Sequence, residues 1–218
     1  MWIVTGGAGF IGSNIVQALN GKGHSDILIV DRPKKDFGNL RDLRFADLLQ
    51  PEEFVEILHR KALPPGIEAI LHQGACADTT CADERFMMDN NVSFSKAVLH
   101  FAIERKIPLV YASSAATYGA NINFKESPEN EAPLNLYGRS KLIFDNYVRT
   151  RHLKSQRTRK PGAFLRFFRK LDGHHYGFLR KHFREAHSLI ERAGFKNQHG
   201  EGSGIVEVFR QLLHERIA

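Results

Sequence analysis

Tyr137 and Lys141 stand four residues apart. On a helix that spacing puts two side chains on one face, one turn apart. An ammonium beside a phenol favours the phenolate, and a phenol normally titrates near about 10. A base brought closer to neutrality can take a proton from an alcohol. Ser114 closes the apolar run Leu109-Val110-Tyr111-Ala112-Ser113 and can hold the same oxygen. Taken alone, Tyr-x3-Lys reads as readily as a solvated surface pair, so its meaning depends on what else the chain assembles.

The N-terminus supplies that context. Thr5-Gly6-Gly7-Ala8-Gly9-Phe10-Ile11-Gly12 follows the apolar run Trp2-Ile3-Val4 and precedes a helical pattern over 13–20. A strand, a glycine turn and a helix make the first unit of a dinucleotide-binding fold. Gly6 allows the tight turn, Gly9 lets the backbone approach a pyrophosphate, and Gly12 lets helix pack on strand. The helix N-terminus offers free N–H groups and the positive end of its dipole to the phosphates. A second apolar run, Ile27-Leu28-Ile29-Val30, ends in Asp31, nineteen residues after Gly12 and placed for the adenosine ribose. In that setting Lys141 can also hydrogen-bond the nicotinamide ribose.

The elements that must position these residues alternate along the chain. Strands are expected at 2–4, 27–30, 69–72 and 109–113, and helices at 13–20, 52–58, 86–105 and 136–149. The stop Pro64-Pro65-Gly66 ends the second helix. Alternation of this kind predicts an α/β, Rossmann-like, doubly wound parallel sheet with helices on both faces. Ligands of such sheets bind at the carboxyl ends of the strands. The glycine turn, Asp31, Gly74-Ala75 and Ser113-Ser114 all fall there.

These motifs resemble the extended short-chain dehydrogenase/reductases. Further stretches narrow the resemblance to the epimerases of ADP-heptose that serve the inner core of bacterial lipopolysaccharide. They are His72-Gln73-Gly74-Ala75-Cys76, Met87-Met88-Asp89-Asn90-Asn91, Tyr111 through Gly119, and Pro133-Leu134-Asn135-Leu136-Tyr137-Gly138. The resemblance covers residues 1 to about 150. It implies catalysis by Tyr137, Lys141 and Ser114, with inversion of one sugar carbon through a transient ketone. It also implies an ADP-heptose-type nucleotide sugar as substrate and assembly into a homo-oligomer. Cofactor contacts carry over onto Phe10, Ile11, Asp31, Arg32, Gln73, Gly74, Ala75, Cys76, Ala77, Asn90 and Lys141. Gln73 replaces the usual Glu. The family's Lys after the second strand has two counterparts, Lys34 and Lys35, in a shortened loop, and Lys35 is assigned. Asp31 alone favours NAD, whereas Arg32 with Lys34 and Lys35 can grip a 2′-phosphate. The resemblance implies NADP, with NAD as the alternative.

Composition limits the remaining possibilities. The 218 residues hold two cysteines, Cys76 and Cys81. They cannot make a disulfide framework, which points to a reducing cytoplasm, and their spacing lacks a second ligand pair for zinc. No metal site is expected. No signal peptide is legible, and no apolar run approaches the ~18 residues of a membrane span.

The charge is uneven. Residues 1–150 hold 16 Lys and Arg against 18 Asp and Glu, whereas 151–218 hold 15 against 6, with seven of the eleven histidines. The expected domains are therefore a dinucleotide-binding domain at 1–150 and a basic, largely helical segment at 151–218 in place of the usual substrate domain. Three readings compete for that segment. It is a truncated or out-of-frame remnant, a small helical appendage, or a nucleic-acid-binding tail, for which no motif is present. Arg166-Phe167-Phe168 faintly echoes the family's next strand, but neither Lys170 nor Lys181 can be assigned as its second catalytic Lys. If the substrate half is lost, the chain is an impaired homologue that only binds the dinucleotide. A sibling nucleotide-sugar epimerase or dehydratase is the other alternative.

Overall fold

The computed structural model describes residues 1–32, 38–120 and 127–157. Five strands form one sheet in the order β3-β2-β1-β4-β5. They are β1 (Trp2–Thr5), β2 (Ile27–Val30), β3 (Asp47–Leu49), β4 (Ala69–His72) and β5 (Leu109–Tyr111), and every pairing is parallel. This is the expected Rossmann-like sheet with one strand more than the sequence showed. The run Asp47-Leu48-Leu49 is three residues long and only partly buried, too short to carry a period of two.

Parallel strands need crossovers, and helices supply them. The described α-helices are α1 (Phe10–Gly21), α2 (Pro51–His59), α3 (Glu84–Met87), α4 (Phe94–Arg105) and α5 (Leu136–Arg157), the last of which follows β5. Pro51 opens α2, where its missing N–H has no helical acceptor to lose. The helical stretch expected at 86–105 is interrupted by a π-helical segment, Met88–Ser93, between α3 and α4. The helix expected to end at Arg149 continues to Arg157, across the expected boundary at 150.

Alternation along the strands divides the core in two. Ile3, Leu28, Val30 and Ile70 pack with Phe54 of α2, Val98 and Leu99 of α4 and Phe144 of α5. Val4, Ile27 and Ile29 face the other way, onto Val16 and Leu19 of α1. Each such side chain, fully removed from water, contributes roughly 1.5–3 kcal/mol.

The ladders align the strand ends. Thr5 pairs with Val30 on one side and His72 on the other, and His72 pairs with Tyr111. Backbone bonds then continue one residue further. Gly6 N–H donates to Val30 (2.8 Å), Asp31 N–H to Leu49 (3.0 Å), Gln73 N–H to Thr5 (3.0 Å) and Ala112 N–H to His72 (3.1 Å). Gly6, Asp31, Gln73 and Ala112 therefore stand in one row at the carboxyl edge. The strand order reverses between β1 and β4, which is where such sheets take ligands.

Candidate active site

At the β1 end the chain turns sharply through Gly6, with φ +69°. A Cβ on Gly12 would lie 2.0 Å from the Gly6 carbonyl oxygen, so the first turn of α1 touches the loop backbone. Gly9 is the N-cap of α1 and provides no side-chain cap. The leading N–H groups of an α-helix have no acceptor within it. Phe10 and Ile11 are about half exposed, at 50% and 48%. A glycine turn leading into a helix N-terminus is a place that can take an anion such as a pyrophosphate.

Asp31 lies across from the turn. Its carboxylate accepts from Ala8 N–H (2.9 Å) and Arg32 N–H (2.7 Å). The Arg32 guanidinium is engaged by Glu52 and by Asn90 Oδ1, the latter at 2.9 Å. Arg32 and Asn90 were both cofactor candidates from sequence, and the fold brings them into direct contact. Lys34 and Lys35 lie outside the described residues.

The loop after β4 carries Gln73, Gly74, Ala75, Cys76 and Ala77. Gly74 N–H donates to Thr5 Oγ1 (3.0 Å), tying this loop to the glycine turn. Asn91 ties it to the helices. Its amide oxygen accepts from Cys76 N–H (2.8 Å), and its amide nitrogen donates to the Cys76 carbonyl (2.9 Å) and to Ser140 Oγ (3.0 Å). Ser140 in turn donates to the Tyr137 carbonyl (2.7 Å). Asn91 is 2% exposed and sits in the π-helical segment. Such segments recur at functional sites because they re-aim a side chain without breaking the helix. Sequence reasoning chose Asn90 and passed over Asn91. A buried Asn inside an apolar helical run was the available signal.

The end of β5 meets the start of α5. A Cβ on Gly138 would come within 2.5 Å of the Ala116 carbonyl oxygen, so this glycine lets the first turn of α5 approach the 3₁₀ turn Ala115–Tyr118. Ser114 caps that turn, its hydroxyl accepting from Ala116 N–H (3.2 Å). Tyr137, next to Gly138, is half-buried. Lys141, one turn on, is 8% exposed and donates from Nζ to the Ala112 carbonyl (3.0 Å). Burial pushes the Lys141 ammonium down to about 8, against the opposing pull of the Asp145 carboxylate. His72, fully enclosed beneath the site, is pushed down to about 3 by burial and then by the charge on Lys141.

Along the carboxyl edge stand the glycine turn after β1, the Asp31 carboxylate after β2 and, past β5, Ser114 with Lys141 of α5 bonded to the Ala112 carbonyl. Cys76 and Cys81 are both free thiols. The tail positions singled out from sequence, Arg166-Phe167-Phe168, Lys170 and Lys181, lie outside the described residues.

Comparison with known proteins agrees with this fold. The model of the NAD dependent epimerase/dehydratase family matches residues 2–170. The match continues past Arg149, where the sequence reading placed the loss of resemblance, and takes in Arg166-Phe167-Phe168. Among solved structures, ADP-L-glycero-D-manno-heptose-6-epimerase from Helicobacter pylori is 27% identical, with a TM-score of 0.61, over 69% of this chain and 50% of that one. UDP-glucose 4-epimerase from Thermotoga maritima, solved with UDP-glucose, is 27% identical, with a TM-score of 0.57, over 68% of this chain and 50% of its own. UDP-glucose 4-epimerase from Brucella ovis, in complex with NAD, is 25% identical, with a TM-score of 0.54, over 68% and 46%. This chain spans about half the length of these solved relatives.

Proposed function

The chain belongs to the NAD dependent epimerase/dehydratase family, and from that premise we propose that it is a nucleotide-sugar epimerase resembling the ADP-heptose 6-epimerases. The observation that carries this reading is the meeting of two structures at one sheet edge. The glycine turn Gly6–Gly12 follows β1, and Lys141 of α5 bonds the Ala112 carbonyl just past β5, two strands along the same backbone ladders and two residues before Ser114. A nicotinamide dinucleotide would lie across that edge. Its pyrophosphate would meet the α1 N-terminus, its adenosine ribose Asp31, and its nicotinamide ribose Lys141. When bound, it would take a hydride from the sugar carbon and return it.

The residues of this chain handle the proton and the geometry. Tyr137 takes the hydroxyl proton of the substrate alcohol and later gives it back. Ser114 holds the same oxygen by hydrogen bond. Lys141, one helical turn beyond the phenol, supplies the positive charge of the group. The loop Gln73–Ala77 closes the floor between the two halves of the site.

The same corner governs the form of the cofactor. Asp31 suits a free 2′-hydroxyl. Arg32 can serve a 2′-phosphate once it leaves Glu52, an exchange that is easy for an exposed pair. We read NADP as the cofactor, with NAD binding the same cradle.

Purified protein incubated with ADP-heptose tests the reading, with inversion at the sixth sugar carbon as the expected result. Tyr137→Phe should reduce turnover by roughly 10²–10⁴-fold while dinucleotide binding persists. A folded, cofactor-loaded protein that leaves ADP-heptose and UDP-sugars unchanged would defeat the epimerase reading.

A further inference from the structure

Asp145 lies on α5 one turn beyond Lys141 and two beyond Tyr137, so the three share a helix face. Its carboxylate is 7% exposed and is not solvated as a surface acid would be. It accepts from Tyr111 OH at 3.0 Å on Oδ1, and from Ser113 Oγ on Oδ2. Those two donors flank Ala112, whose carbonyl accepts from Lys141 Nζ (3.0 Å). Three consecutive residues at the end of β5 are thus clamped from α5. Side chains 111 and 113 are held by Asp145, and the carbonyl between them by Lys141. The next residue is Ser114.

We propose that Asp145 is a positioning residue, which fixes the end of β5 that carries Ser114 and supplies the countercharge for the buried ammonium of Lys141. Every charged or titratable group facing the pair fits that role. From β5 come Tyr111 and Ser113, and from β4 comes His72, which burial keeps neutral. Arg149 on α5 and Glu131 before it form an ion pair on the far side of the carboxyl. Burial raises Asp145, while the bonds from Ser113 and Tyr111 and the charge of Arg149 work against that rise. Tyr111 itself is driven upward by burial and by Asp145, so it stays a protonated donor to the carboxylate. Lys141 and Arg149 stand one turn before and one turn after Asp145 on α5. Losing the carboxylate would leave burial unopposed at Lys141.

The catalytic meaning of this clamp rests on the function proposed above, but the clamp does not, so its test uses ligand-free protein. The measurement is an NMR titration of lysine side chains, with the Lys141 signal assigned by Lys141→Arg. In the native chain Lys141 should titrate near 8. In Asp145→Asn its midpoint should fall by about one pH unit, the size expected for loss of one nearby opposite charge. An unchanged midpoint in a folded Asp145→Asn protein would overturn the proposal. Should that variant fail to fold, the native chain still decides. The Lys141 signal should show a second inflection where the Asp145 carboxyl titrates, and a Lys141 signal blind to that titration would overturn the proposal equally. Dinucleotide binding by the native chain, measured alongside, reports separately on the proposed function.

Discussion

Thr5 Oγ1 lies 2.6 Å from Nδ1 of His72, and the proton between them belongs to the threonine. The direction follows from the far side of the ring. Ser95 donates its only proton to the Asn91 carbonyl, so Nε2 of His72 must donate to Ser95 Oγ (2.8 Å). Nδ1 is left as the acceptor. Thr5 then accepts from Gly74 N–H, and the relay from the glycine turn to the π-helical segment is complete. A proton on Nδ1 would break it.

Acid should therefore destabilise the fold through His72. Its folded value of about 3 lies below the ordinary 6.5. The stability it contributes is complete above 6.5 and is lost as pH falls toward 3. Between pH 6.5 and 5 the loss should be about 2 kcal/mol. Urea unfolding at several pH values checks this. His72→Gln should be less stable at neutral pH but should lose that part of the slope. An identical slope in the variant would remove His72 from the account.

Lys141 should work against stability. Its folded value of about 8 lies below the ordinary 10.5, so the fold disfavours the charged form. Below pH 8 that penalty is complete, and it is relieved as pH rises from 8 through 10.5. Lys141→Met should gain about 1–2 kcal/mol at pH 7, part of a full linkage of roughly 3 kcal/mol, the remainder offset by the lost bond to Ala112. Thermal unfolding at pH 7 and pH 10 measures both the gain and the flattened pH dependence. The same variant should bind dinucleotide more weakly, the usual exchange between stability and function.

Gly138→Ala should open the site from the catalytic side. The new Cβ would meet the Ala116 carbonyl at 2.5 Å, and neither partner is a flexible side chain. Overpacking of this kind costs about 1–3 kcal/mol. The helix start should move away from Ser114, so turnover should fall while the glycine cradle, on another element, still binds dinucleotide. Calorimetric titration together with an activity assay separates the two effects.

Glu52 should tune the cofactor. It holds Arg32 in an exposed ion pair, with side chains 49% and 64% exposed. Such pairs contribute about 0–1 kcal/mol, so freeing Arg32 by Glu52→Gln should shift the ratio of NADP to NAD affinity by up to about fivefold toward NADP. Arg32→Ala should weaken NADP by about tenfold and leave NAD nearly unchanged. Competitive binding of the two dinucleotides gives the ratio directly.

Much of this was legible in the sequence because backbone chemistry restricts it. Only glycine fits where α1 meets Gly6, and only a parallel sheet places Asp31, Gln73 and Ser114 along one edge. The site's supports were harder to see. Asp145 reads as one more acid on a polar helix, and nothing in its spacing from Lys141 says that β5 will bring Tyr111 and Ser113 to it. Asn91 was hidden by the assumption of one uninterrupted helix, since a π-helical segment rotates side chains off the 3.6-residue period. The strand β3 was missed because its pairing with β2, not its own three residues, holds it in place.

The central claim is that the edge between Gly6 and Tyr137 is a dinucleotide site. Calorimetric titration of the purified chain with NADP and with NAD tests it most directly. Saturable binding of at least one of them is predicted, abolished by Gly12→Val and retained by Tyr137→Phe. A folded chain that binds neither, or that binds equally well with Gly12→Val, would contradict it.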